Sequence, residues 1–138
     1  MKNSIFVLLV FLIISTISAQ TSTTWTGAYD SNWHDDANWT NGVPDQTTDA
    51  IIPEESSYGH DPLVSSDAPC ANLSNSGTLN VQSGASLNVQ NNYVGTISES
   101  LNLLNGNVNV GGNMEVNGTV NISDENASGE SSINCVGN

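Results

Sequence analysis

Residues 77–123 read GTLNVQSGASLNVQNNYVGTISESLNLLNGNVNVGGNMEVNGTVNIS. An apolar–polar–apolar triplet recurs through this stretch: Leu79/Val81, Leu87/Val89, Leu101/Leu103, Val108/Val110, Met114/Val116 and Val120/Ile122. Residues two apart on a strand point to the same side. Each pair therefore faces one way, and Asn80, Asn88, Asn102, Asn109, Glu115 and Asn121 face the other. Gly or Asn follows each triplet closely, so the strands are very short. Three such strands make a coil of roughly twenty residues, a length expected of a stacked repeat unit. On that count Leu79 stacks near Leu101, and Leu101 near Val120. The expected fold is all-β, a right-handed parallel β-helix (β-solenoid), the hand following the usual sense of parallel crossovers.

Stacked parallel strands place like side chains above one another at about 4.8 Å. Asn suits such a ladder, because its amide donates in one direction and accepts in the other. Gly77, Gly84, Gly106, Gly112 and Gly118 are expected at positive-φ corners. The rival arrangement is a meander of hairpins turning at Asn105–Gly106 and Asn117–Gly118. Residues 91–100 interrupt the repeat.

Upstream, Trp25, Trp33 and Trp39 fall among Gly, Asp, Asn and Ser with no helical period. A solenoid needs a special terminal unit, because an open end presents unpaired strand edges and an apolar cross-section. Trp25, Trp33, Trp39, Ile51 and Ile52 are expected to form the core of that cap. The functional alternative makes Trp25, Trp33 and Trp39 a platform on which sugar rings stack. Residues 50–53, Ala-Ile-Ile-Pro, read as a short buried strand stopped by proline.

The ends and the charge narrow the function. Lys2, the apolar run Ile5–Ile14 and the small residues to Ala19 read as an export signal, too short to span a bilayer as a helix. The expected division is 1–19 signal peptide, 20–69 cap and first coil, and 70–138 solenoid repeats, truncated relative to a full stack. The chain carries 14 Asp and Glu against a single Lys or Arg, for a net charge of −13. That lone base, Lys2, lies in the signal. Nucleic acid is excluded as a partner for lack of phosphate-neutralising groups, and membrane insertion after signal cleavage is not expected. Polysaccharide lyase chemistry lacks the Lys or Arg it ordinarily uses. Hydrolysis needs two carboxyl groups about 5 to 10 Å apart, and no sequence pair places them so. No enzyme activity is expected, and surface glycans or other extracellular proteins remain as partners.

No cofactor is expected, with calcium as the one cation the sequence allows. Its candidate oxygen ligands are Asp30, Asp35, Asp36, Asp45 and Asp49, against the plainer reading of solvated turn residues. His34 and His60, each beside Asp, match no zinc spacing. Cys70 and Cys135 are the only cysteines. An exported chain could pair them in a disulfide bracketing the repeats, provided the stack brings their Cα atoms within about 7 Å.

The N-terminal spacing W-T-G, S-x-W, A-N-W-x-x-G-x-P and I-I-P resembles a module of large secreted surface proteins from Bacteroidetes-type bacteria. Here it is carried by Trp25, Gly27, Ser31, Trp33, Asn38, Trp39, Gly42, Pro44, Ile51, Ile52 and Pro53. The resemblance continues through residues 61–64, the Cys-x-x-Leu step at Cys70–Leu73, and residues 76–81. It implies a β-solenoid, secretion to the cell surface or medium, often by the type IX pathway, and an adhesin-like role. It transfers no catalytic residue. Members commonly end in a sorting domain, which residues 135–138 do not resemble. The expected function is a non-catalytic secreted or cell-surface scaffold, with a carbohydrate-binding module, free or attached to a polysaccharide-degrading enzyme, as the alternative.

Overall fold

A computed structural model describes residues 21–123 and 130–137. The expected signal peptide, 1–19, lies outside the described residues. Thirteen short strands carry the architecture: β1 (Thr21–Thr24), β2 (Thr48–Ile52), β3 (Leu63–Val64), β4 (Ala68–Cys70), β5 (Leu73–Asn75), β6 (Thr78–Val81), β7 (Ser86–Val89), β8 (Tyr93–Gly95), β9 (Ser100–Leu104), β10 (Asn107–Val110), β11 (Met114–Val116), β12 (Thr119–Ser123) and β13 (Ser132–Cys135). Two single-turn 3₁₀ helices, Asp36–Asn38 and Glu55–Ser57, are the described helical elements.

From β2 onward each strand pairs with the one three places further along, in the next coil, and β1 adds to β2 at the start of the first sheet. The first sheet runs β1-β2-β5-β8-β11, the second β12-β9-β6-β3 and the third β13-β10-β7-β4. All ladders between these strands are parallel. Parallel order between every third strand is the signature of a β-solenoid and rules out the hairpin meander, which needs antiparallel neighbours. The stack makes about four turns. Register is set by the apolar pairs: Leu79 lies opposite Leu101 and Leu101 opposite Val120, as the repeat count requires. A one-residue slip would turn every Leu and Val to solvent.

The interior is one narrow column of these pairs. Leu79, Val81, Leu87, Leu101, Leu103 and Val108 are fully buried. Outside, two amide ladders climb the stack. Asn121 Nδ2 donates to Asn102 Oδ1 and Asn102 Nδ2 to Asn80 Oδ1, both at 2.8 Å. Asn134 donates to Asn109 and Asn109 to Asn88, both at 2.9 Å. Each rung donates toward the N-terminal coil and accepts from the C-terminal one.

Two expectations about local structure need correction. Of the five corner glycines, only Gly84 has positive φ, at 78°. Gly106 and Gly118 are small for a different reason. A Cβ on Gly106 would stand 2.6 Å from Val81 O, and one on Gly118 2.5 Å from Glu99 O. The previous coil's backbone lies where a side chain would go. The apparent interruption at residues 91–100 contains β8, whose Tyr93 is buried opposite Leu73. Its inward residues are Tyr and Gly rather than two aliphatics, so the triplet pattern misses it.

Residues 25–47 form the cap. Trp25, Trp33 and Trp39 pack edge to face and stacked, with ring centroids 4.7 to 6.5 Å apart. Trp33 N donates to Leu63 O, so this segment adds a rung over β3. The buried Asn38 ties the loop together. Its Oδ1 accepts from Tyr29 N and Asp30 N, and its Nδ2 donates to Asp30 Oδ1 and Asn32 O. Ile52 joins the core, but Ile51 does not. Strand alternation on β2 turns Ala50 and Ile52 inward and Ile51 outward.

Candidate functional site

The three Trp side chains are 1 %, 0 % and 5 % exposed for Trp25, Trp33 and Trp39. Trp25 Nε1 donates to His60 O and Trp39 Nε1 to Trp33 O, each at 2.7 Å. Rings buried in each other cannot receive a sugar, so the platform reading of these residues is overturned. They are the cap core.

The five aspartates do not converge: four lie in the cap loops, Asp35 and Asp36 in one 3₁₀ turn, and Asp49 lies on β2. Asp30 Oδ1 accepts from Asn32 N. Asp35 caps the first 3₁₀ turn through Ala37 N, and Asp36 holds Val43 N. Asp45 takes Thr47 N and the hydroxyls of Thr47 and Thr48. These bonds, that to Thr47 N first, hold its carboxyl below the usual carboxylate range. Asp49 accepts from Asn72 N and Nδ2. Among the described residues no three His, Cys, Asp or Glu converge as a metal site, so these aspartates do not assemble the calcium site. His34 pairs with Ser66 Oγ and His60 with Gly27 O, both at 2.8 Å.

Cys70 and Cys135 are both free. They occupy one inward column, in the order Cys70, Val89, Val110, Cys135. Three strand spacings separate them by about 14 Å, twice the reach of a disulfide. The intrachain bridge is therefore corrected. Burial pushes the Cys70 thiol up to about 12, with Asp49 adding to the effect, so it is inert at neutral pH.

The core also holds a polar cluster that the sequence pattern does not reveal. Glu99, 2 % exposed, reaches into the stack at the Gly95 rung, and its carboxyl fills the place of the missing Gly95 side chain. Tyr93 Oη donates to Glu99 Oε2 at 2.6 Å, and Asn75 Nδ2 donates to Tyr93 Oη and to Glu99 Oε2. Glu99 Oε1 has no hydrogen-bond partner. Burial raises the Glu99 pKa above the usual carboxylate value, opposed in part by the bonds from Tyr93, Gly118 and Asn75. A carboxyl so placed favours its protonated form, and Glu99 Oε1 lies in the packed interior, away from solvent.

The outer face of the first sheet carries a concave surface flanked by polar groups. Ile51, Ser74, Val94 and Glu115 follow one another up its centre. Beside them runs a second ladder type. Asn92 N donates to Asn72 Oδ1 at 3.1 Å and Asn113 N to Asn92 Oδ1 at 3.0 Å, continuing the bonds from Asn72 to Asp49. Between the two rows lies an open groove of about 620 Å³, from Ser22 on β1 to Asn92 beside β8. The aspartate that was a calcium candidate, Asp49, thus begins an amide wall. The signal available in the sequence was the recurrence of Asp49, Asn72, Asn92 and Asn113 at about one coil length, outside the apolar triplets.

The fold defines a parallel β-solenoid with a Trp-rich N-terminal cap. The chain belongs to the family described as a domain of unknown function, DUF8693, which it matches over residues 24–135, from the end of β1 to the end of β13. No curated protein matches it, and no solved structure does. Among the described residues no helix is long and apolar enough to cross a membrane.

Proposed function

We propose that the protein is a non-catalytic extracellular scaffold of adhesin-like type, exported by residues 1–19 and presented at the cell surface or released to the medium. The observation that carries the reading is the use made of its reactive groups. Asp35, Asp36 and Asp45 hold turns, Asn ladders hold rungs, and Glu99, the one deeply buried carboxyl among the described residues, is enclosed by Tyr93 and Asn75. General acid–base work needs a titratable group within reach of substrate. A stiff stack with a closed cap suits display at a distance, and a net charge of −13 suits solubility outside the cell. The Trp-block resemblance supports type IX export.

Surface proteolysis of intact producing cells, with mass spectrometry of the recovered chain, tests the proposal. The expected result is protein accessible outside the cell, beginning near Gln20, that releases no reducing ends from any polysaccharide supplied. Recovery only from cytoplasm with Met1 or Lys2 retained, or steady release of sugar products, refutes it.

A further inference from the structure

We propose that the groove on the outside of the first sheet binds an uncharged polysaccharide laid along the solenoid axis. The inference goes beyond the scaffold reading and does not depend on it. Ile51 and Val94 supply apolar floor on either side of Ser74, and Val94 is 44 % exposed. Such a floor suits the C–H faces of sugar rings. Asn72 and Asn92 supply the polar wall at one amide per coil, about 4.8 Å apart, a step comparable to one pyranose unit.

The wall is ordered before any ligand arrives. Asn72 Oδ1 is fixed by Asn92 N, and Asn92 Oδ1 by Asn113 N. An amide has two N–H donors and two acceptor lone pairs. Asn72 Nδ2 also donates to Asp49 Oδ1, and each Asn still keeps amide capacity beyond these bonds. Groups held in place lose little freedom on binding, which favours affinity. The site is long and open rather than enclosed, which fits a polymer better than a small metabolite.

Charge selects within the polysaccharides. The single Lys or Arg of the chain is Lys2, far outside the groove in sequence, and Asp49 stands at the groove's wall. Uronates, sulfates and phosphates are repelled there, whereas neutral hydroxyls are not. An extended peptide is the less suitable occupant. It binds sheets by adding a strand at an edge, and the backbone groups beneath this groove already serve the β2-β5-β8 ladders.

Affinity electrophoresis of the exported chain through gels containing neutral glucans, mannans or xylans, and separately polygalacturonate or alginate, tests the site. Ser74→Arg fills the floor, Asn92→Ala removes one wall amide, and Ser83→Arg adds the same charge on an exposed turn elsewhere. Trp fluorescence on urea unfolding monitors folding of each. The expected result is retardation by at least one neutral polymer, weakened about tenfold or more by Ser74→Arg and unchanged by Ser83→Arg, tenfold being about 1.4 kcal/mol. If Ser74→Arg fails to fold, weakening by Asn92→Ala carries the same information. Retardation by no neutral polymer, preference for the polyuronates, or equal binding by a folded groove variant overturns the site. None of those results bears on where the protein resides or whether it turns over substrate, so the scaffold reading stands or falls separately.

Discussion

Replacing Asn102 by Asp changes one NH₂ to an oxygen and tests whether the amide ladder contributes stability. In the native chain Asn102 Nδ2 donates to Asn80 Oδ1, and Asn102 Oδ1 accepts from Asn121 Nδ2, both at 2.8 Å. An ionised Asp keeps the second bond and loses the first, leaving two oxygens facing each other. The lost bond is worth about 1 kcal/mol, and the unmatched acceptor raises the cost to about 1–2 kcal/mol at pH 7. With a urea slope of about 2 kcal/mol/M, the midpoint falls by roughly 0.5–1 M. A protonated Asp can donate to Asn80 Oδ1 and restore the ladder. The folded state thus favours the protonated form, so its pKa rises above the unfolded value of about 3.9. The stabilising contribution is complete below that unfolded value and is lost as pH rises through the folded one. Urea titrations followed by Trp fluorescence at pH 7 and pH 3, each against native chain at the same pH, should show a large deficit at pH 7 and a small one at pH 3. Asn102→Ala should lose stability at both. An Asp variant as stable as native at pH 7, or equally impaired at both pH values, refutes the ladder argument.

Glu99→Gln should remove a pH dependence. Burial raises the native carboxyl's pKa, so its contribution is full below about 4.3, the unfolded value, and declines as pH rises through the folded value. The Gln variant should gain on native chain between pH 4 and pH 9 in thermal melts; parallel melting curves across that range would sink the assignment. Leu101→Ala leaves a hole between Leu79 and Val120 and should cost about 2–5 kcal/mol in urea unfolding; a loss below about 1 kcal/mol would mean the column is not close-packed. Two glycines separate conformation from crowding. Gly84→Ala meets nothing within 4 Å and should cost about 1 kcal/mol for its positive φ, whereas Gly106→Ala strikes the Val81 carbonyl and should cost clearly more. Equal losses contradict the close-stacking account. The native Trp emission should be blue-shifted and shielded from iodide, because the rings are 5 % exposed or less; ready quenching would contradict the cap.

The apolar triplets and their spacing by themselves determined the stack. Period two fixes which side chains share a face, and a constant coil length fixes which pairs meet, so Leu79 over Leu101 and the Asn ladders were legible before any coordinates. Composition likewise set the net charge, because that depends on counts alone. The tertiary structure decided whatever depends on which rung faces which. Cys70 and Cys135 share a column yet sit three rungs apart, a distance the chain separation does not encode. Ile51 looked like core by hydropathy, but alternation from Ala50 turned it out to floor the groove. The five aspartates looked like a cluster along the chain, but four became fixtures of the cap loops and Asp49 the first rung of the amide wall. Glu99 looked like a scattered acid and entered the core, because Gly95 leaves a space there and Tyr93 and Asn75, some 6 and 24 residues away, supply its partners. Local periodicity is written in neighbouring residues. Burial of a single polar group depends on the coils above and below it, and those meet only when the chain has wound.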